Sequence, residues 1–395
     1  MLLLKFMDTL ISEIDLDNGV FNILKEDMLP CDLDLSVHNS NFKNIDNFRV
    51  WCANRTLTMS KANAKKICNV LNLPQSNSTE VRSRIALAYK CLTLDDAYWV
   101  DTSDNQSSWL DITLHLNKST NVLTPISLCG KVSTLFKGKL NNPVDLAVNG
   151  TFAKSWIRDN KGLYLCKADE SEHSDETINE VLASKILKSI GANCINYELD
   201  IIDGTRVSKC ACYTSEALSF IPYSILRCKD ESVLDFIKSK FKSEYANMVV
   251  ATYLIGNEDL HDGNWGLLLD NSTFEYIGLF PLFDFNYSLS KKSYISSKNN
   301  GFIPEMYYVD MNTGNRIKHC NVLDFEYEIV SNTTIEQAAV REYLNCTLDL
   351  DSLIIPKDLD SIIKEELLMR INTLKKSFKQ DRFLKDLSVN VTSKL

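Results

Sequence analysis

The sequence predicts an α+β chain built as two lobes, a strand-rich one followed by a mostly helical one, with an additional α/β region ahead of both. Three observations carry this prediction. From about residue 125 to 214, short apolar–polar alternations separated by glycine and Asp/Asn turns surround one amphipathic helix. From Val233 the apolar residues recur at helical spacing as far as Gly256. Between that helix and the next strands lies the polar stretch Gly256-Asn257-Glu258-Asp259-Leu260-His261-Asp262-Gly263-Asn264-Trp265-Gly266. At 395 residues the chain has room for about two or three cores. The expected divisions are an accessory region over 1–125, the strand-rich lobe over 126–220 and the helical lobe over 221–395.

Composition narrows the function classes. A hydrophobic fraction of 45% with 24% charged residues is that of an ordinary globular protein. The net charge of -9 argues against bulk electrostatic binding, so direct nucleic-acid or anionic-membrane binding is not expected. No stretch approaches the length of a membrane span, and the apolar start Met1–Phe6 is too short for a secretion signal. The twelve cysteines include no C-x-x-C pair, and the five histidines (His38, His115, His173, His261, His319) are scattered. Neither a zinc site nor a disulfide framework is expected, and the expected compartment is the reducing cytoplasm.

Residues 1 to 45 read as short strands and turns, and 46 to 100 as helical. Ser60 is expected to cap a helix through Asn72, stopped by Leu73-Pro74. Thr79 is expected to cap a second, with Val81, Ile85, Ala88 and Tyr89 inward. Arg55, Lys61, Lys65, Lys66, Arg82 and Arg84 invite a helix-turn-helix reading of this pair. A diagnostic spacing is missing, so a helical pair packed on a neighbouring domain is favoured. Leu92 to Val100 forms an aromatic junction.

Leu146 to Ile157 reads as strand, turn, strand, and Gly162 to Lys167 as the next strand. Lys167 shares a strand face with Leu163 and Leu165, and a charge on an apolar face needs a partner. The helix from Ser174 or Asp175 to about Ile190, ended by Gly191, supplies one. Glu180 falls roughly 20° from Leu187 at the edge of the buried arc. Such a lysine–glutamate pair is either a structural ion pair or a device that presents the lysine to phosphates. A hairpin turning at Asp203-Gly204 follows, and Glu216 to Phe220 is the expected hinge, where backbone groups can read an adenine. The strands Trp265–Leu269 and Phe274–Leu279 should fold Asp284 back beside Asn264. Residues 285 to 330 read as loop with short elements. Helices are expected over Ile335–Leu344 and Leu359–Phe378, with a last piece from Asp381.

The chemistry lies in Asp259, Asn264 and Asp284. A carboxylate can orient and deprotonate an attacking hydroxyl, while an amide and a second carboxylate hold Mg²⁺ on the phosphates of ATP. His261 is read as organising the loop, because Asp259 already supplies the base. Glu258 and Asp262 are read as surface and turn charges.

The order D-x-H-x-x-N with a downstream carboxylate, a strand lysine and a helix glutamate resembles the HipA-like serine/threonine kinases, whose catalytic loop is like that of the phosphatidylinositol kinases. The resemblance covers about residues 126 to 395. It implies a two-lobed protein-kinase-like fold, with Asp259 as catalytic base and Asn264 and Asp284 as Mg²⁺ ligands. It also implies that Lys167 contacts ATP phosphates with Glu180 positioning it. Gly150 through Ser155 would form the phosphate loop, with Gly150, Lys154 and Ser155 as nucleotide contacts and Ser155 as an autophosphorylation site. Only one glycine stands where G-x-G-x-x-G has three. A protein substrate with a Ser/Thr hydroxyl, toxin-like action and a DNA-binding antitoxin-like partner are further implications. A kinase of small molecules or lipids and a non-catalytic nucleotide-binding module are the alternatives.

Overall fold

The computed structural model describes residues 1–33, 44–104, 106–116, 121–132, 143–148, 150–171, 174–226, 232–257, 259–289, 306–309, 316–319 and 335–392. Asn149, Glu258, His38, His173 and most of the expected 285–330 loop lie outside these residues.

The chain opens with β1 (Leu2–Phe6), β2 (Thr9–Asp15) and β3 (Val20–Ile23). Helices α1 (Asn44–Asn54), α2 (Ala64–Val70) and α3 (Thr79–Ala88) follow, and then β4 (Tyr98–Thr102). The sheet order is β3-β2-β1-β4, so the end of the aromatic junction is a strand paired to the first strand of the chain. Two expected helix starts move. Ser60 shares a hydrogen bond with Thr58 at 2.6 Å, and α2 begins only at Ala64, after Asn63 in the left-handed region. The cap of α3 is Ser78, whose hydroxyl accepts from the Val81 N–H at 3.3 Å, and Ala88 lies exposed rather than inward.

Of the basic residues here, Lys65, Lys66 and Arg84 lie on the surface, while Arg55, Lys61 and Arg82 are turned to internal partners. Arg55 is buried; its guanidinium forks onto Asp96 at 2.6 and 2.8 Å and donates to the carbonyls of Cys91 and Tyr98. It also stacks on Trp51 at 4.5 Å. Lys61 is buried, and Arg82 donates to the Thr56 carbonyl. These internal partners fit a packed helical pair. Removing the guanidinium leaves the largely buried Asp96 carboxylate without its cation. Arg55→Met should therefore cost about 3–5 kcal/mol, read as a lower urea midpoint. An unchanged midpoint would contradict this role.

The next sheet carries the candidate site. After α4 (Trp109–Ile112) and α5 (Thr124–Cys129) come β5 (Lys154–Arg158), β6 (Leu163–Ala168), α6 (Glu176–Ser189), β7 (Glu198–Ile202) and β8 (Thr205–Ala211). The order is β5-β6-β8-β7, antiparallel throughout. Asp203 and Gly204 both take positive φ, 49° and 81°, as a two-residue hairpin of this hand requires. The strand expected at Leu146 is instead a 3-10 turn over Val144–Ala147, because the Asp145 carboxylate folds back onto β5. Leu123, Ile126 and Leu146 join Leu57, Ile67 and Cys68 in one buried cluster, so the core runs across residue 125.

The helical part begins with β9 (Leu218–Pro222), which pairs with β10 (Gly266–Asp270) and through it with β11 (Glu275–Leu279). A Cβ at Gly266 would stand 2.1 Å from the Ile221 carbonyl, so the close approach of β9 and β10 needs glycine there. Between β9 and β10 run α7 (Val233–Lys240) and α8 (Lys242–Ile255). Nearly every side chain of α8 from Tyr245 on is buried, and Gly256 ends it at φ 59°. A strand pair, β12 (Met306–Val309) with β13 (Arg316–His319), falls inside the expected loop. After a helix over Ile335–Glu342, the last helix runs unbroken from Ser361 to Thr392. No break precedes Asp381, where Phe378-Lys379-Gln380 holds neither glycine nor proline. Among the described residues, no helix is long and apolar enough to cross a membrane, and no three His, Cys, Asp or Glu group as a metal site.

Candidate active site

The register of β5 on β6 sets Lys154 directly across from Lys167. Cross-strand partners leave the same face of a sheet, so both ammonium groups point one way. That face meets α6 and the chain beyond β11. The Lys167 Nζ donates to Glu180 Oε1 at 2.5 Å and to Asp284 Oδ1 at 2.8 Å, joining residues 117 positions apart. The Lys154 Nζ lies 3.7 Å from Asp284 Oδ2. Each oxygen of the Asp284 carboxylate thus has its own lysine.

Burial makes these pairs strong. Glu180 is fully buried, and its other oxygen accepts the Ser208 hydroxyl at 2.5 Å. Burial works against the Lys167 charge, but Asp284 and Glu180 outweigh it and hold the ammonium well above its usual range. Burial likewise raises the Asp284 carboxyl, and Lys167 and Lys154 reverse that and hold it well below the ordinary value. Asp284 sits at φ 60°, a left-handed conformation uncommon outside glycine. Its N–H donates to the Tyr197 hydroxyl at 3.3 Å, and the Tyr197 ring lies 5.3 Å beneath Lys167.

The loop after α8 brings the rest. The Asn257 side chain, buried, accepts the Asp259 N–H at 3.0 Å and donates to the Asp284 carbonyl at 3.3 Å. The Asn264 Nδ2 donates to the Asp259 carbonyl at 2.8 Å. An amide whose nitrogen is committed has its oxygen left to offer a cation. The His261 Nδ1 accepts the Gly263 N–H at 3.0 Å, while the His261 N–H and carbonyl bond to Asp259 and Asn264. A Cβ at Gly263 would stand 2.9 Å from that imidazole. Burial first, and the nearby Asp284 charge second, push the Asp259 carboxyl up to about 6.

Gly150 takes φ 89°, and a Cβ there would stand 2.7 Å from the Lys154 Nζ, so this glycine backs directly onto the lysine. Phe152 of the same loop meets Tyr287 edge-on at 5.7 Å. Ser155 is not brought to the cluster. It is buried on the opposite face of β5, where its hydroxyl bonds to Asp145 and Thr124 at 2.8 and 3.0 Å. In the stretch expected as the hinge, the Phe220 N–H is committed to the Asp95 carbonyl at 2.6 Å, and the Glu216 carboxylate accepts from Trp109 and Thr113.

Asn257, Tyr197, Ser208 and Asp145 were not singled out from the sequence. Asn257 had a signal, a polar amide directly after the glycine that ends a buried helix. The other three have none, because their roles come from pairings between distant segments.

No protein-family model matches the chain, and no curated protein does. Among solved structures it is similar to the Helicobacter pylori proinflammatory kinase CtkA, at 19% identity over 62% of this chain and 94% of that one, with a TM-score of 0.41. It is also similar to a chain of the Shewanella oneidensis MR-1 toxin–antitoxin complex of HipA, HipB and its operator DNA. That match has 12% identity over 96% of this chain and 97% of the other, with a TM-score of 0.48. Both scores lie below 0.5, so the reading of the site rests on its own geometry.

Proposed function

We propose that the protein is an ATP- and Mg²⁺-dependent phosphotransferase of the HipA-like kind, with a two-lobed kinase architecture, acting on a serine or threonine hydroxyl of a protein in the cytoplasm. The observation that carries this reading is the double grip of Lys167 on Glu180 and Asp284, beside Asp259 and Asn264. A structural ion pair needs one lysine and one carboxylate. Here two lysines and three carboxylates, one of them raised, converge from five segments, which is the equipment of phosphoryl transfer.

The donor set fits Mg²⁺, which takes one or two carboxylates and completes its shell with water and phosphate oxygens. Asn264 Oδ1 and Asp284 would hold it. Bound there, the metal would offset the charge on the β- and γ-phosphates. Lys167, kept charged by its two carboxylates, would hold phosphate oxygens, and Glu180 would keep it aimed. Lys154, whose contact with Asp284 is the longer, is placed to exchange that carboxylate for a phosphate. Asp259 would accept the proton of the acceptor hydroxyl as its oxygen bonds to the γ-phosphorus. The bond from that phosphorus to the bridging oxygen then breaks, and ADP leaves.

A titration of ATP with and without Mg²⁺ tests this assignment. In the wild type, Mg²⁺ should tighten ATP binding at least about tenfold, and in Asp284→Asn that gain should vanish. Equal Mg²⁺ dependence in both proteins would remove Asp284 as a ligand. The DNA-binding partner implied by the resemblance should co-purify with the chain as the product of a neighbouring gene.

A further inference from the structure

We propose that Asp145 is a positioning residue for Lys154: its buried carboxylate holds β5 in the setting that turns the Lys154 ammonium onto Asp284. The inference rests on the phosphotransferase reading of the site and extends it to a residue on the far side of the sheet. Asp145 is 4% exposed. Its Oδ1 accepts the Trp156 N–H at 2.8 Å, and its Oδ2 accepts the hydroxyls of Ser155 at 2.8 Å and Ser127 at 2.9 Å. A carboxylate so buried is costly unless its lone pairs are used, and here three donors use them.

Two of those donors belong to the residues that follow Lys154 in β5. Gripping Ser155 on one face of the strand fixes Lys154 on the other, because successive side chains alternate. The N-terminal region completes the hold. The Lys61 Nζ donates to the Asp145 carbonyl at 3.0 Å, and the Ala62 N–H donates to the Thr151 carbonyl at 2.8 Å. The loop is thereby strapped at Asp145 and Thr151, with Gly150 backed onto the Lys154 ammonium between strap and strand. A cationic side chain held ready for a phosphate loses less freedom on binding, and the strap supplies that order in advance.

ATP affinity in the presence of Mg²⁺, measured for the wild type, Asp145→Ala, Lys154→Met and the double variant, tests the proposal. Each single variant should bind ATP about tenfold more weakly, and the double variant no more weakly than Lys154→Met alone, because Asp145 acts through Lys154. Asp145→Asn, which keeps an acceptor for the Trp156 N–H, should recover affinity to within about threefold of wild type. Unchanged affinity in Asp145→Ala, or additive losses in the double variant, would overturn it. Should Asp145→Ala fail to fold, Ser155→Ala is read the same way: a loss of about threefold that disappears in the Lys154→Met background supports the proposal, and a loss that persists there overturns it. A wild type that binds no ATP sinks the phosphotransferase reading and the positioning role with it. A wild type that binds ATP no better than Asp145→Ala does sinks the positioning role alone.

Discussion

Asp259→Asn should all but stop the proposed phosphoryl transfer and make the protein more stable. The two effects have one cause. Burial and the Asp284 charge push the Asp259 carboxyl up to about 6, so its ionised form is held in the fold at a cost. A carboxyl raised above its unfolded value, near 4, adds least destabilisation in acid. The cost appears as the pH rises from about 4 and is complete above about 6. At pH 7.5 an uncharged amide should therefore gain about 1–3 kcal/mol, read as a higher urea midpoint, and the gain should fade as the pH is lowered to about 4. The loop does not depend on the carboxylate, since Asp259 is tied in through its N–H and carbonyl. Losing the proposed base should lower kcat by about 10²–10⁴-fold. In the wild type, kcat/KM should rise with pH through about 6. A variant that lost activity together with stability would point to a structural role for Asp259.

Lys167→Met should destabilise the fold strongly. The substitution leaves Glu180 fully buried with Ser208 as its hydrogen-bond donor, and leaves Asp284 with only the more distant Lys154 of its two lysines. Breaking a buried pair from one side costs about 3–5 kcal/mol, because a charge stays behind. The double variant Lys167→Met/Glu180→Gln removes one of the stranded charges and should recover about half of that loss, with no recovery of ATP turnover. This pattern separates the two duties of Lys167. Recovery of both stability and turnover would mean that the lysine only holds the fold, and recovery of neither would mean that the stranded Glu180 charge is not what destabilises the single variant.

The sequence carried much of this site because its parts sit on regular elements. Strand alternation turns Lys167 inward, helical periodicity turns Glu180 to meet it, and a short hairpin returns the chain to Asp284. Alternation of the same strand also separates Ser155 from Lys154, a consequence legible in the sequence once β5 is placed. What stayed hidden depends on contacts between remote segments. The pairing of β4 with β1, the fold-back of Asp145 and the bond from the Phe220 N–H to the Asp95 carbonyl leave no local periodicity to read. The charges of Arg55 and Lys61 invite a nucleic-acid reading only while their buried partners are unknown.

The most direct measurement of the central claim is transfer of label from γ-labelled ATP, with Mg²⁺, by the wild type and by Asp259→Asn side by side. Label is expected on a serine or threonine hydroxyl with the wild type, at most about a hundredth as much with the folded variant, and none with either when Mg²⁺ is chelated. Equal labelling by both proteins, or ATP left untouched by a folded wild type across a broad set of protein acceptors, would contradict it.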